Sequence, residues 1–473
     1  MVGTLLNHML EDFELRLILN PDDPDLLFRR AFALESLGRT DDAKGAYLAL
    51  LRHDPSHPGA LNNLARLLHR EGALRPARLL LERLVDADAQ SVSGHANLGI
   101  ILLELDEFDG ARRHLRRALE LDDAYALAHL GLARIFAIEG DDARALEHQR
   151  LALGDAAVTA SAAHGSWSQR APQLLLLASE EQLGAVTAEW LADATFSIAT
   201  LVVERAGDAA LPRHHAIFNT ISDADRNADA LVAARTIVGR SPAPVINHPD
   251  AVLATARTAL EARLHGIPDV IVPRVLAFAR DAPAPDVGWP MLVRAPGFHS
   301  GQHFVKVDTQ EALPAAVTSL PGEMLLAIEL LPSRGVDGRY RKYRTIIVDG
   351  ELYPIHAAVS DHWKVHYFSA EMQTHAERRT EDRAFLEDMA EALGSRATIA
   401  LGAIARALQL DYGGIDFGLD AQGRVLVFEA NATMTVPAPP RGAEWDYRRA
   451  PVKKILDATR RMLLKRSRAG GWL

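Results

Sequence analysis

Along the first third of the chain, small and apolar positions return every 34 residues. Ala31, Ala65, Gly99 and Ala133 form one column, Leu34, Leu68, Leu102 and Phe136 a second, and Ala43, Ala77, Ala111 and Ala145 a third. Gly38, Gly72 and Gly140 form a fourth, with Asp106 filling its gap, and Asp54, Asp88 and Asp122 a fifth. A period of this length predicts one supersecondary unit per repeat. Small residues let two antiparallel helices approach closely. The Gly/Asp column supplies the left-handed turn between them. Asp54-Pro55 closes a unit, because the residue before a proline leaves the helical region. The expected array runs over about 24–154, with a less regular helix ahead of it.

The period breaks at 159–172, a stretch rich in Ala, Ser and Gly that carries Trp167 and Pro172, which predicts a boundary. Short apolar runs then predict strands over 174–178, 198–203, 216–221 and 244–246, and a helix over 252–264 stopped by Gly266 and Pro268. Alternating strands and helices argue for a doubly wound parallel sheet. From about 271 the texture becomes α+β with antiparallel sheets. Strands are expected over 290–295, 303–307, 324–330, 343–348, 352–359, 415–419 and 425–430, with a helix over 383–408. Val348-Asp349-Gly350-Glu351 is a tight hairpin signal. A basic helix over 453–468 should pack by its apolar Ile455, Leu456, Met462 and Leu463. The fold class is therefore multidomain: an all-α repeat solenoid over 1–158, an α/β domain over 170–270, an α+β domain over 271–437, and a basic C-terminal helix over 438–473.

Composition narrows the chemistry. A chain of 473 residues suggests two to four domains. With Cys 0, disulfides, thiolate metal sites and cysteine nucleophiles are excluded. Lys+Arg 52 against Asp+Glu 62, a net charge of −10, argues against a general polyanion-binding surface, so no nucleic-acid partner is expected. The first 14 residues carry acids and no basic n-region, so they do not read as a signal peptide. No run approaches the roughly 18 apolar residues of a membrane span. The expectation is a soluble cytoplasmic protein without a membrane partner.

The segment 411–432 carries the most chemistry. Turning at 420–423, it predicts a hairpin with Leu419 opposite Arg424 and Asp416 opposite Val427. Strand alternation then puts Val427, Glu429, Asn431 and Asp416 on one face. Two carboxylates in an apolar hairpin require a cationic partner if they are buried. With no thiolate or histidine in the set, a hard cation such as Mg²⁺ suits the oxygen donors. An acidic exposed face, or an acid paired with Arg, fits the same residues equally well.

Two resemblances sharpen this reading. On its 34-residue columns the first third resembles the tetratricopeptide repeat family, although the family's unit-end proline is present only at Pro55, and Ala89 and Asp123 stand in the later units. On Phe428-Glu429-Ala430-Asn431 and the preceding Asp416, residues 170–437 resemble the ATP-grasp superfamily, near the glutathione-synthetase-like and ribosomal-protein-S6-modification-like ligases. That resemblance makes 170–270 a pre-ATP-grasp domain and 271–437 the ATP-grasp domain. It implies ATP and two Mg²⁺, the metal held by Asp416, Glu429 and Asn431. The run 290–301 looks like the strand and small loop that cover ATP, with Arg294 where the family usually has Lys, and with Gly297, Ser300 and Gly301 near the phosphates. The run 326–332 looks like the hinge strand whose main chain binds adenine, with Glu329 and Leu331 as its contacts. Arg344 matches the family's strand-initial Arg that meets phosphates or a substrate carboxylate, and Lys342 shares its face. In 356–366, Lys364 is the best candidate for a cation over the phosphates. His356 and His366 are weaker ones, and His362 reads as structural. The implied reaction is ATP-dependent ligation of a carboxylate to an amine through an acyl phosphate, with Arg344 and Lys364 as catalytic cations. The repeats would present a peptide or protein substrate. Alternatively they would serve assembly, a homodimer included, around a ligase of small metabolites, or the whole would be a non-catalytic nucleotide-binding adaptor.

Overall fold

The computed structural model describes residues 2–139, 141–154, 157–160, 171–182, 195–296, 303–365, 370, 372–436, 439 and 442–469. The chain forms two compact units: Met1–Ala156 with Ala162–Trp167, and Ala157–Ser161 with Ser168–Leu473. Among the described residues, no helix is long and apolar enough to cross a membrane.

The described part of the first unit consists of nine helices: α1 (Val2–Leu19), α2 (Pro24–Ser36), α3 (Thr40–His53), α4 (Pro58–Arg70), α5 (Leu74–Ala87), α6 (Val92–Glu104), α7 (Phe108–Leu121), α8 (Ala126–Ile138) and α9 (Asp142–Leu153). Each packs on the next, and α6 also packs on α4 and α8. The turn column behaves as its composition demands. Gly38, Gly72 and Asp106 all sit at positive φ, 75°, 78° and 62°; Gly140 lies outside the described residues. The aspartate column explains why the later units manage without proline. Asp54, Asp88 and Asp122 each accept a hydrogen bond from the backbone N–H two residues on, at 3.1, 3.0 and 3.2 Å. This side-chain turn closes the unit in all three repeats. Gly99 and Gly131 are small because Leu115 of α7 fits between them: a Cβ there would stand 2.6 and 2.7 Å from its side chain.

Two repeats carry a histidine pair in place of an apolar one. His95 and His114 meet Nδ1 to Nδ1 at 3.0 Å, and His129 and His148 do so at 2.8 Å. The Nε2 atoms of His95 and His129 reach the carbonyls of Ala89 and Asp123 at 3.2 and 2.8 Å. In the preceding repeat the same two columns hold Leu61 and Leu80, so the fold itself does not require imidazoles. Burial, then the facing His95 and the nearby Arg113, lower the pKa of His114 against the pull of Glu82. Burial, His129, Arg116 and Arg144 lower that of His148 against Glu147. A depressed histidine contributes full stability above its unfolded pKa of about 6.5 and loses it as pH falls, because the unfolded chain then binds protons that the folded one refuses. The thermal midpoint of the repeat unit should therefore fall between about pH 7.5 and about pH 5.5. Replacing both partners, His114→Leu with His148→Leu, should flatten that slope. An equally steep slope in the double variant would refute the assignment.

The described part of the second unit holds three sheets. The first, ordered β1-β3-β2-β4-β5, comprises β1 (Val158–Ala160), β2 (Gln173–Ala178), β3 (Ser197–Val202), β4 (Ala216–Asn219) and β5 (Val245–Ile246). Strands β2 to β5 run parallel, as expected, while β1 adds an antiparallel edge on β3. Helix α10 (Ala228–Val238) follows β4 and escaped the sequence pattern. The helix expected over 252–264 is two helices, α11 (Pro249–Leu253) and α12 (Arg257–Leu264). They are divided at Ala256, whose extended backbone (ψ 139°) interrupts the ladder.

Strand β6 (Val270–Ile271) leads to β7 (Val275–Ala279), β8 (Met291–Arg294), β9 (Phe304–Val307), helix α13 (Leu313–Ser319) and β10 (Met324–Glu329). Strands β7-β10-β8-β9 form an antiparallel sheet. The third sheet, β12-β11-β13-β14-β6, uses β11 (Tyr340–Val348), β12 (Glu351–Ser360), β13 (Tyr412–Leu419) and β14 (Val425–Ala432). Asp349 and Gly350, at φ 49° and 86°, make the tight β11–β12 hairpin that their sequence announces. The helix expected over 383–408 is α14 (Ala376–Glu387) and α15 (Met389–Leu408). Asp388 separates them by leaving the helical region and capping α15 through the Glu391 N–H at 2.9 Å. The chain closes with α16 (Arg449–Ala469), whose Ile455, Met462 and Leu463 are buried.

The three expected segments 170–270, 271–437 and 438–473 share cores. Leu175 and Ile217 pack in one cluster with Phe417 and Val427, and Leu174 and Phe218 in another with Ile346, Tyr412 and Ile455. Fully buried Asn247 joins the first sheet to the third. It donates to the Tyr412 carbonyl at 2.6 Å and accepts from the Tyr412 N–H at 2.9 Å. The C-terminal ends of β2 and β4 and the middle of β13 and β14 are thereby held in one body.

Candidate functional site

Strand β11 lies between β12 and β13, and places Lys342 and Arg344 two residues apart on one face. Arg344 is directly opposite Asp416 on β13, and Asp416 is directly opposite Glu429 on β14. Asn431 follows two residues later, opposite Gly414. A bulge between Asp416 and Phe417 corrects the expected register. The five-residue turn pairs Leu419 with Val425, not with Arg424, which moves each partner by one, and Phe428 is the extra residue that moves Asp416 one further, from the expected Val427 to Glu429. Val427 consequently points away from the acids into the core with Phe417. The expected convergence of Asp416, Glu429 and Asn431 on one face survives this shift.

The side chain of Asp416 is 0% exposed and sits beneath two cations. Arg344 holds both its oxygens, through Nε to Oδ1 and through Nη2 to Oδ2 at 2.8 Å. Lys342 Nζ adds a contact at 2.5 Å to Oδ2. Burial alone would push the Asp416 carboxyl up, but Arg344 and Lys342 hold it well below the usual carboxylate range. Glu429 accepts from Arg257 Nη2 at 2.8 Å, and its other oxygen stands 4.0 Å from Arg344 Nη2. Burial and Asp416 would raise the Glu429 carboxyl; Arg257, Lys342 and Arg294 together lower it.

Arg257 has no counterpart in the sequence reading. It opens α12 and is pinned by Asp225, through its N–H at 3.1 Å and its Nη1 at 2.7 Å. Burial works against its charge, and Glu429, Asp225 and Asp223 outweigh burial. Glu429 lies 172 residues away in the sequence, so no local motif links the two. The only available signal was the demand of two buried acids for more cation than Arg344 and Lys342 supply.

Arg257, Lys342, Arg344 and Glu429 line a cavity of about 590 Å³. One side is apolar: Val275, Leu292 and Ile328 are buried there, with Phe304 and Trp363 in edge-to-face contact at 5.4 Å. The other side, among the described residues, presents Arg257, Arg294, Lys342, Arg344 and Lys364 with Asp223, Glu329 and Glu429, and Asp225 and Asp416 stand directly behind these cations; Arg341 also lines it, bonded to Asp337 and Glu381. Gln182 and Ser222, which follow β2 and β4, join through the Ser222 N–H at 2.9 Å and close the far end. The C-terminal edge of a parallel sheet, where neighbouring connections diverge, is where open α/β folds bind ligands.

The expected residues fall as follows. Arg294, Glu329, Leu331, Lys342, Arg344, Lys364, Glu429 and Asn431 all line the cavity, and Asp416 lies behind Lys342 and Arg344. Arg294 stands over the Phe304 ring at 5.7 Å, and burial and Arg257 lower its pKa. The Glu329 N–H is already bonded to the Arg274 carbonyl at 3.0 Å. Lys364 donates to the Phe304 carbonyl at 3.4 Å, and burial followed by Arg294 lowers its pKa. His356 is buried on β12 away from the cavity lining. Gly297, Ser300, Gly301 and His366 lie outside the described residues.

Asp416, Glu429 and Asn431 offer only oxygen donors, which suits a hard dication. Among the described residues, no three His, Cys, Asp or Glu side chains converge as a metal cluster. A dication here would draw on the Asn431 amide oxygen and on oxygens from water or a bound phosphate.

The tetratricopeptide repeat model matches residues 20–92 and 97–161, so the first unit is a tetratricopeptide repeat array. No curated protein sequence matches the chain. Among solved structures the chain is similar to YrrB, described as a TPR protein with an unusual peptide-binding site, at 22% identity and TM-score 0.28, covering 30% of this chain and 73% of that one. It is similar to a thermophilic TPR protein of Thermus thermophilus, TTC0263, at 25% identity and TM-score 0.28, covering 32% and 87%. It is similar to MamA of Desulfovibrio magneticus RS-1 at 19% identity and TM-score 0.28, covering 32% and 93%.

Proposed function

We propose that the second unit is an ATP-grasp-type ligase that joins a carboxylate to an amine, and that the repeat array holds the peptide or protein bearing one of them. The observation that carries this reading is a cavity with an apolar side, lined by Arg257, Arg294, Lys342, Arg344 and Lys364 and by Glu429, whose cross-strand partner Asp416 lies behind Lys342 and Arg344. The apolar side between Ile328, Leu292 and Trp363 has the character to take a planar base. Arg294, Lys342, Arg344 and Lys364 then supply the charge for a triphosphate. Asp416, Glu429 and Asn431 would hold Mg²⁺, which supplies neutralisation of the phosphate oxygens.

In the first step the substrate carboxylate oxygen attacks the γ-phosphorus, the bond to the β–γ bridging oxygen breaks, and ADP leaves. In the second, the amine nitrogen attacks the acyl carbon, phosphate leaves, and the nitrogen gives up a proton. Neither step asks the protein for a covalent nucleophile. Arg344 and Lys364 stabilise charge as it moves off the γ-phosphoryl group, and Arg257 keeps Glu429 in place. A tetratricopeptide array carries a concave binding surface suited to an extended segment, which is why the proposed substrate is a peptide or protein.

The test incubates the full chain with ATP, Mg²⁺ and hydroxylamine as a surrogate amine. Pools of amino acids, small carboxylic acids and acidic peptides are added in turn. The expected result is hydroxamate and ADP in equal amounts, with one pool and not without it. ADP released at the same rate with no carboxylate present would contradict the proposal.

A further inference from the structure

We infer that the carboxylate pair is guarded by exchangeable counter-ions, so that a divalent metal enters only together with a polyphosphate that draws Lys342 and Arg344 away. This rests on the ligase reading and adds an order of binding to it. Asp416 has no exposed side chain, and the residues between it and the cavity are Lys342 and Arg344, 18% and 23% exposed. Both its oxygens are occupied by their nitrogens. A metal ion in contact with Asp416 would have to replace at least one of these cations.

The three cations around the pair differ in how they are held. Arg257 is anchored at its backbone and its side chain by Asp225, and its side chain is 10% exposed. It is a positioning residue that stays on one Glu429 oxygen. Among the described residues, the side chains of Lys342 and Arg344 are bound in the site only through the acids themselves. When Lys342 and Arg344 turn toward a polyanion, Asp416 is uncovered, and the Glu429 oxygen 4.0 Å from Arg344 is freed beside it. The apolar side plays no part in the exchange, so inorganic tripolyphosphate should work as well as ATP.

The experiment measures Mn²⁺ retained by the full chain in equilibrium dialysis, alone, with AMP, and with inorganic tripolyphosphate. Retention should be weak alone and with AMP. It should rise on the order of 100-fold with tripolyphosphate, near the upper end of usual coupling between two sites, and Glu429→Gln should abolish the rise. Lys342→Met, which removes one guard while keeping Arg344 on Asp416, should retain Mn²⁺ unaided better than the parent chain. Glu429-dependent retention by the parent chain without any polyphosphate would overturn the inference. So would tripolyphosphate that binds and brings no Mn²⁺. A chain that binds Mn²⁺ unaided yet still forms ADP refutes the exchange and leaves the ligase reading standing. One that takes Mn²⁺ and tripolyphosphate together but never forms ADP with any acid does the reverse.

Discussion

Glu429→Gln should cut ADP formation by about 10²- to 10³-fold, the usual cost of removing one preorganised electrostatic group from an active site. Glutamine keeps the shape of the side chain, and its amide oxygen can still accept from Arg257 Nη2, now 2.8 Å from a carboxylate oxygen. What is lost is one negative charge on a face where Asp416 is already covered by Arg344 and Lys342. Glu429 is the member of the carboxylate pair that reaches the cavity wall, so the site loses the acid that a metal would meet first. The fold should be unaffected, and unchanged far-UV circular dichroism separates lost chemistry from lost structure. A steady-state ADP assay at saturating Mg²⁺ decides the matter: a rate equal to that of the parent chain would sink the metal assignment.

The second large effect concerns stability. Arg344→Met leaves the fully buried Asp416 with Lys342 as its one cation among the described residues. Breaking a buried ion pair by removing one partner costs about 3–5 kcal/mol, because the remaining charge keeps its desolvation penalty without its compensation. Since Lys342 still touches Oδ2, the lower end, about 3 kcal/mol, is expected. The triple variant Lys342→Met, Arg344→Met, Asp416→Leu should recover most of this loss, because removing all three charges together leaves none without its counter-charge. Urea titration followed by tryptophan fluorescence provides the comparison. If the single variant were as stable as the parent, or the triple variant were the worse of the two, the buried cluster would not carry the energy assigned to it.

Much of the repeat unit was legible from residue types alone. Gly38, Gly72 and Asp106 lie in the left-handed region that their column called for, since the turn has no partner to choose beyond its own helices. Most strands of the second unit were legible as apolar runs, and Asp349-Gly350 as a tight hairpin, while β1, β6 and β7 were not expected. Boundaries were less so. Asp388 and Ala256 each interrupt an unbroken apolar pattern just ahead of a new helix, and that break is a matter of capping and backbone angle, which periodicity does not record. The candidate site was half legible. Glu429 and Asn431 are two apart on one strand, and alternation alone puts them on one face. Their partner across the hairpin differs from the expected one, because the length of the turn and the bulge at Phe428 are properties of the paired strands and not of either run.

Local chemistry, then, settled what is local here. It covered the 34-residue units with their turns and Asp-closed ends, the pleat that aligns Glu429 with Asn431, and the residue types able to meet a phosphate or a metal. Tertiary structure decided what depends on distance in space. It brought Arg257 across 172 positions to Glu429, set Lys342 and Arg344 over Asp416, and gathered Gln182 and Ser222 to the same cavity. The reason is that a buried carboxylate needs opposite charge nearby but does not specify where in the chain that charge comes from, and only the packing of the sheets makes that choice.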